Sequence, residues 1–225
     1  MKNSISQALI LCGGKGERLK PITNNIPKPL VKIGKEPILS HQIKYLRNQG
    51  IKKFIIATGY KSNQIEKFIE LEFNNLDISI VDSGNVDILF RIKDCKSLIE
   101  KKFLLCYGDT LANIDLKKLN RFHNSHRGEV SVSSYQLQSQ FGILKSNKDN
   151  LVIEFLEKPK LDAWINIGYF IFEKSTDLLK NNFADFIEYL AKSKKLYCYK
   201  HRGLHITVNT IKELKEAETN IKHFI

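Results

Sequence analysis

Residues 9–30 read LILCGGKGERLKPITNNIPKPL, and the order of residue types in this stretch decides the fold. Ala8 to Cys12 is short, apolar on both faces and stopped by Gly13 and Gly14, the pattern of a buried strand in a parallel sheet. Its C-terminal end is then the place where open α/β sheets bind ligands. Glycines there let backbone N–H groups approach an anion closely. Lys15 and Arg18 add charge, and Arg18 carries a planar fork of donors suited to phosphate oxygens. Pro27 and Pro29 restrict the backbone on both sides of Lys28, so that lysine loses little entropy on meeting an anion. Charge, glycine and rigidity converge on a polyphosphate.

The commoner phosphate motifs do not fit. A Walker loop places four residues between its glycines and then Lys-Ser/Thr, which Gly14-Lys15-Gly16-Glu17-Arg18-Leu19 lacks. A dinucleotide fingerprint opens directly into a helix, whereas Leu19 stands at its last glycine, and Pro21, Pro27 and Pro29 prevent one continuous helix over the next residues. Instead, GGKGERL succeeded by PKPL resembles the signature of the sugar-1-phosphate nucleotidyltransferases, also called nucleoside-diphosphate-sugar pyrophosphorylases. Within that family the chain is similar to the glucose-1-phosphate cytidylyltransferases, through EPILSHQIK, FIIATGYK, VDSG, YGDTLANIDL, FHNSH, FGIL, FLEKPK and VNTIKEL. These segments run in order along nearly the whole chain.

The resemblance implies a set of site residues. Leu11, Gly13, Gly14, Gly16, Arg18, Lys28, Gly84 and Gly108 are expected to bind the nucleotide, with Arg18, Lys28 and Asp109 catalytic. Glu157, Lys158, Asn166 and Gly168 are expected to hold the sugar phosphate. Asp109, after the apolar run Phe103 to Cys106, corresponds to the family's Mg2+-binding aspartate; on its own, a strand-end Gly-Asp serves equally well as a turn cap. A second aspartate is usual late in the family, and here the matching position is Asn209. An amide oxygen still coordinates, but without the negative charge it binds a cation more weakly. A second departure comes after Asp82-Ser83-Gly84, where a glycine-containing base-binding stretch gives way to Val86-Asp87-Ile88-Leu89-Phe90-Arg91. Bulk at that place is expected to reshape the nucleobase pocket.

Composition bounds the rest. A chain of 225 residues, 42% apolar and 10% aromatic, has enough apolar surface for a substantial core, and no linker or repeat divides it. We expect a single domain over 1–225, with a nucleotide half to about residue 112 and a sugar-phosphate half from about 113. The net charge of +12 is spread from Lys2 to Lys222 without a run of five like charges, which suits an anionic small substrate better than nucleic acid. Cys12, Cys95, Cys106 and Cys198 show no C-x-x-C spacing and read as reduced thiols. With no signal peptide or long apolar run, a cytoplasmic protein without a membrane partner is expected. His123/His126 and His201/His205 read as structural or solvated residues. Family members are often oligomers, so a homo-oligomer is a further expectation.

Periodicity places a helix at 40–49, a strand at 53–58 and a helix opened by Asn63 with Glu66. Beyond these come a strand at 76–81, a weaker helix at about 94–101 and a strand at 103–107. Asp115 is expected to cap a helix to about His126. Strands at 130–135, 142–145, 151–156 and 164–172 come next, with helices near Asp177 and at 184–191, a strand at 196–200 and a last helix at 211–221. The pattern predicts an α/β protein. The resemblance implies a Rossmann-like fold with a mixed, mostly parallel sheet flanked by helices. The expected reaction joins a nucleoside triphosphate, CTP before GTP or UTP, to a sugar 1-phosphate like glucose 1-phosphate, releasing pyrophosphate for surface polysaccharide synthesis. A different phosphorylated acceptor, or a nucleotide-binding regulatory module without turnover, are the alternatives.

Overall fold

A computed structural model describes residues 4–224. The apolar run opens it as β1 (Gln7–Leu11), an inner strand of a seven-stranded sheet. Two short strands, β2 (Lys32–Ile33) and β3 (Glu36–Pro37), pair with each other and lead into α1 (Ile38–Asn48). Then come β4 (Lys53–Thr58), α2 (Ser62–Glu72), β5 (Asp77–Asp82), α3 (Ile88–Asp94) and β6 (Lys102–Tyr107). The order across this part is β6, β1, β4, β5, with every pair parallel. The strands of this half therefore end on one edge. The order reverses at β1, which makes that edge beside β1 and β6 the topological switch point.

The second half adds β7 (Thr110–Ala112), α4 (Leu116–Asn124), β8 (Val130–Gln138) and the hairpin of β9 (Ile143–Ser146) with β10 (Val152–Leu156). It continues through β11 (Lys160–Glu173), α5 (Phe183–Lys192), β12 (Leu196–His201), β13 (His205–Thr207) and α6 (Ile211–Asn220). β11 runs antiparallel to both β6 and β8, while β12 is parallel to β8. One reversed strand thus joins the two halves of a mixed, mostly parallel sheet, the Rossmann-like architecture expected from the sequence.

Side chains alternate along the strands and feed a core on each face. On one face Ala8, Ile10, Ile56, Leu104 and Tyr169 pack with Leu39, Ile43, Ile65 and Leu119 from α1, α2 and α4. On the other, Leu9, Ile55, Leu105 and Phe170 pack with Leu89 and Ile92 from α3 and Phe186 from α5. A third cluster sets Leu19, Val31 and Ile33 against Leu111, Ile206 and Ala217, so α6 and β13 cover the N-terminal loop. Thr210 and Glu213 start α6 with reciprocal side-chain bonds to the backbone. Asp115 starts α4 by accepting from the Lys118 N–H.

Three local expectations change. The helix expected at 94–101 lies earlier, because Asp87 accepts from the Leu89 N–H and starts the helix there. No helix forms near Asp177. Helix α2 is entered through Lys61 in a left-handed conformation, φ 54°, and Asn63 is its second residue. All four cysteines are free thiols, and burial pushes Cys12, Cys95 and Cys106 upward in pKa. Among the described residues no helix is long and apolar enough to cross a membrane.

Candidate active site

The ends of β1 and β6, the glycine loop and the start of α3 border a cavity of about 820 Å³, a volume suited to a small-molecule ligand. Leu11, Gly13, Gly14, Gly16, Arg18 and Lys28 line one side, with Gly108, Asp109, Asn166 and Asn209 also in the wall. These residues come from segments far apart in the chain. Pairing of β13 with β7 joins the most distant ones: Thr207 stands opposite Thr110, which sets Asn209 beside Asp109.

Lys28 is the centre of the polar network. The short turn Lys28–Leu30, entered from extended Pro27 with Pro29 in its first positions, leaves the lysine only 7% exposed. Its Nζ donates to Asp109 Oδ2 at 2.5 Å and to Asn209 Oδ1 at 2.9 Å. Arg18 Nη2 donates to the same Asn209 oxygen, also at 2.9 Å. Asn209 donates its own Nδ2 to Thr207 Oγ1 at 2.8 Å, which orients the amide with its oxygen toward the cations. Asp109 and Asn209 therefore present two hard oxygens to one positive centre, here the lysine ammonium. That donor chemistry fits a small divalent cation.

Other side chains hold the Asp109 turn. Gln42, fully buried on α1, donates to Tyr107 O at 3.0 Å, to Thr110 O at 3.3 Å and to the Tyr169 hydroxyl at 3.1 Å. Tyr169 donates in turn to Thr110 O at 3.0 Å, and burial raises its pKa far out of reach. Gly108 packs against β1, its N–H bonding Leu11 O at 3.0 Å. A Cβ there would stand 2.7 Å from Cys12 Sγ and 2.8 Å from Leu11 O, so only glycine fits without displacement.

Several expected residues lie elsewhere. Glu157 and Lys158 do not line the cavity; they occupy the loop before β11, 3.8 Å from each other, with the lysine side chain 59% exposed. Gly168 lies behind the wall, where its missing side chain makes room for the Tyr107 ring, and its N–H donates to Asn166 Oδ1 at 2.8 Å. Gly84 is also outside the lining, in a turn closed by Asp82 Oδ1, and its neighbours Asn85 and Val86 reach the cavity instead. The bulk expected after Gly84 is divided: Val86 and Ile88 face the cavity, while Leu89 is buried in the core.

The lining residues that carried no binding or catalytic role in the sequence reading include Tyr107, Arg91, Thr207 and His205. For Arg91 a signal existed, since it falls with Ile88 and Ile92 at core positions of a helical period. His205 meets the Tyr135 ring with centroids 5.2 Å apart. Burial, then His201, push its pKa down to about 4, with Glu213 pulling upward. It is a neutral imidazole at pH 7.

The nucleotidyl transferase family profile matches residues 7–225. The chain is 36% identical to the probable glucose-1-phosphate cytidylyltransferase of Bacillus subtilis, over 94% of each chain. It is 32% identical to the D-glycero-alpha-D-manno-heptose 1-phosphate guanylyltransferase of Campylobacter jejuni, over 84% of this chain and 86% of that one. The crystal structure of HddC from Yersinia pseudotuberculosis complexed with GMP-PN superposes with a TM-score of 0.76 at 25% identity, over 96% of this chain and 100% of that one. On the match that runs from β1 to the C-terminal helix, the chain belongs to the nucleotidyl transferase family and is a sugar-phosphate nucleotidyltransferase.

Proposed function

We propose that the protein joins CTP to a sugar 1-phosphate of the glucose 1-phosphate kind, releasing pyrophosphate and forming an NDP-sugar. The convergence of Arg18, Lys28, Asp109 and Asn209 on one point of the cavity carries this reading. The preference for CTP rests on likeness to the Bacillus cytidylyltransferase at near-complete coverage. GTP is the second reading, favoured by the heptose guanylyltransferase and by the HddC complex.

In such a transfer a phosphate oxygen of the sugar phosphate attacks the α-phosphorus and pyrophosphate leaves in line. An anion attacks a polyanion, so positioning and cationic stabilisation do the work and no side-chain nucleophile is required. The backbone N–H groups of Gly14, Lys15 and Gly16, which meet no backbone acceptor among the described residues, receive phosphate oxygens. Arg18 and Lys28 neutralise charge on the triphosphate. Asp109 and Asn209 are the residues that would hold Mg2+, which when bound supplies charge shared between phosphate oxygens. Asn166 orients the sugar. Lys158 reaches the acceptor phosphate only if its loop turns inward, a movement its exposed position leaves free.

Pyrophosphate release, measured with magnesium, the four ribonucleoside triphosphates and several sugar 1-phosphates, tests the proposal. Release that requires CTP with glucose 1-phosphate supports it; release that requires GTP with a heptose or mannose 1-phosphate replaces it with the second reading. Silence with every pair, alongside measurable triphosphate binding, leaves a nucleotide-binding module without turnover.

A further inference from the structure

Arg91 is only 4% exposed, yet among the described residues it meets no carboxylate at ion-pair distance. Its Nη1 donates to Thr58 O, and its Nη2 donates to Gly13 O at 3.2 Å and to Gly84 O at 2.7 Å. Thr58 ends β4, and Gly13 and Gly84 come just after β1 and β5, so one guanidinium gathers the ends of three neighbouring parallel strands. Asp82, Asp94 and Asp87 act on it through space only, and two of them hold backbone groups instead. Asp82 accepts from the Gly84 N–H, and Asp87 accepts from the N–H groups of Leu89 and Phe183. A cation removed from water without a countercharge is costly. Burial indeed lowers the pKa of Arg91, opposed by Asp82 and Asp94.

It also packs against the glycine loop. A Cβ on Gly13 would lie 2.0 Å from Arg91 Nη1 and 2.1 Å from its Cζ, so the guanidinium occupies the space a side chain at residue 13 would take. In a trans peptide the C=O and the next N–H point in opposite directions. Drawing Gly13 O toward Arg91, with help from the Tyr60 N–H at 3.2 Å, turns the Gly14 N–H away from it. That N–H meets no backbone acceptor among the described residues.

We propose that Arg91 is a positioning residue for the triphosphate: it fixes the Gly13–Gly14 peptide with its N–H aimed at a phosphate oxygen and leaves its own charge, which no carboxylate contacts among the described residues, beneath the bound anion. The ligand itself adds a countercharge. This rests on the nucleotidyl-transfer reading above, and it assigns a role to helix α3 that is independent of which base is bound.

The test compares wild-type protein, Arg91→Gln and Arg91→Lys by calorimetric titration with CTP, GTP, CMP and GMP, and by steady-state pyrophosphate release. Arg91→Gln should lose about tenfold or more of the preference for triphosphate over monophosphate, with monophosphate affinity changed by less than about threefold. Its KM for the triphosphate should rise while its KM for the sugar phosphate stays put. Arg91→Lys keeps the charge but not the three-carbonyl grip, and should recover part of the loss. Variants that melt at lower temperature yet keep the native triphosphate preference at a temperature where they are folded would show that Arg91 merely ties strands together. If Arg91→Gln does not fold, native triphosphate preference and KM in Arg91→Lys overturn the proposal equally. Wild-type protein that binds neither triphosphate removes the parent reading as well, a result distinct from failure of the variants alone.

Discussion

Lys28 and Lys158 are both lysines next to a proline, yet they have opposite surroundings. Lys28 is 7% exposed and held by Asp109 and Asn209, on a loop covered by α6 and β13. Lys158 is mostly exposed, with φ 44°, and its ion-pair partner Glu157 stands 3.8 Å away. The strands behind Lys28 are buried in the parallel sheet, whereas the hairpin before Lys158 exposes Phe141, Leu144, Ile153 and Phe155 by 59% or more. Preorganisation is therefore unequal. The Lys28 side is assembled by the fold itself, and on the proposed reading the Lys158 side still has a loop to place, which would shift ordering entropy onto acceptor binding.

Removing the two lysines in turn puts this contrast to its hardest trial. Lys28→Ala and Asp109→Ala should each lower turnover by on the order of 10²-fold or more, read as pyrophosphate release under saturating substrates. Lys158→Ala should act mainly on the KM of the sugar phosphate, by about tenfold, with kcat little changed. Equal losses at both lysines would mean that the Lys158 loop is as firmly set as the Lys28 turn.

A smaller effect is expected at the two oxygens that would hold a cation. Asn209→Asp keeps the acceptor for Arg18 and Lys28 and restores a negative charge, so divalent-cation affinity should tighten several-fold, about 1 kcal/mol. An unchanged magnesium dependence of the rate would show that residue 209 serves Arg18 and Lys28 alone.

On stability, Gly108→Ala drives a Cβ into Cys12 Sγ and the Leu11 backbone and should cost about 1–3 kcal/mol in denaturant unfolding. An alanine at the exposed Gly34, where nothing lies within 4 Å of an added Cβ, meets only the strain of φ 65° and should cost about 1 kcal/mol. The last effect belongs to pH. His205 folds with a pKa of about 4, below the ordinary histidine value of ~6.5. In the window between those values the unfolded chain holds a proton that the folded chain refuses, so stability falls as pH drops through it. His205→Asn should flatten that slope in melts taken from about pH 7 to about pH 4.

What the sequence disclosed was local or strongly patterned. Ala8 to Cys12 announces a buried strand because no polar face interrupts it, and Asp115 announces a helix because its capping partner is three residues away. The loop glycines, Arg18, Lys28 and Asp109 were recognisable through resemblance, and the cavity wall contains them all. Arg91 was legible only as a charge at a core position of a helical period, since its carbonyl partners lie 78, 33 and 7 positions upstream. The start of α3 was missed because apolar residues run on both sides of Asp87, and a capping bond, not periodicity, chooses where the helix begins. The placement of Glu157 and Lys158 outside the cavity has no signature in composition: a loop's direction depends on the strands it joins.

The lone reversed strand has a consequence for how this scaffold diversifies. Because β11 enters the sheet at the edge where its parallel neighbours leave it, the whole span from Gln138 to Lys160 hangs between two adjacent strands of a single antiparallel pair. Lengthening or trimming that span leaves the register of β1, β4 and β6 untouched. On the proposed reading, insertion and deletion there would retune the acceptor side while the glycine loop and the Lys28 turn are inherited unchanged.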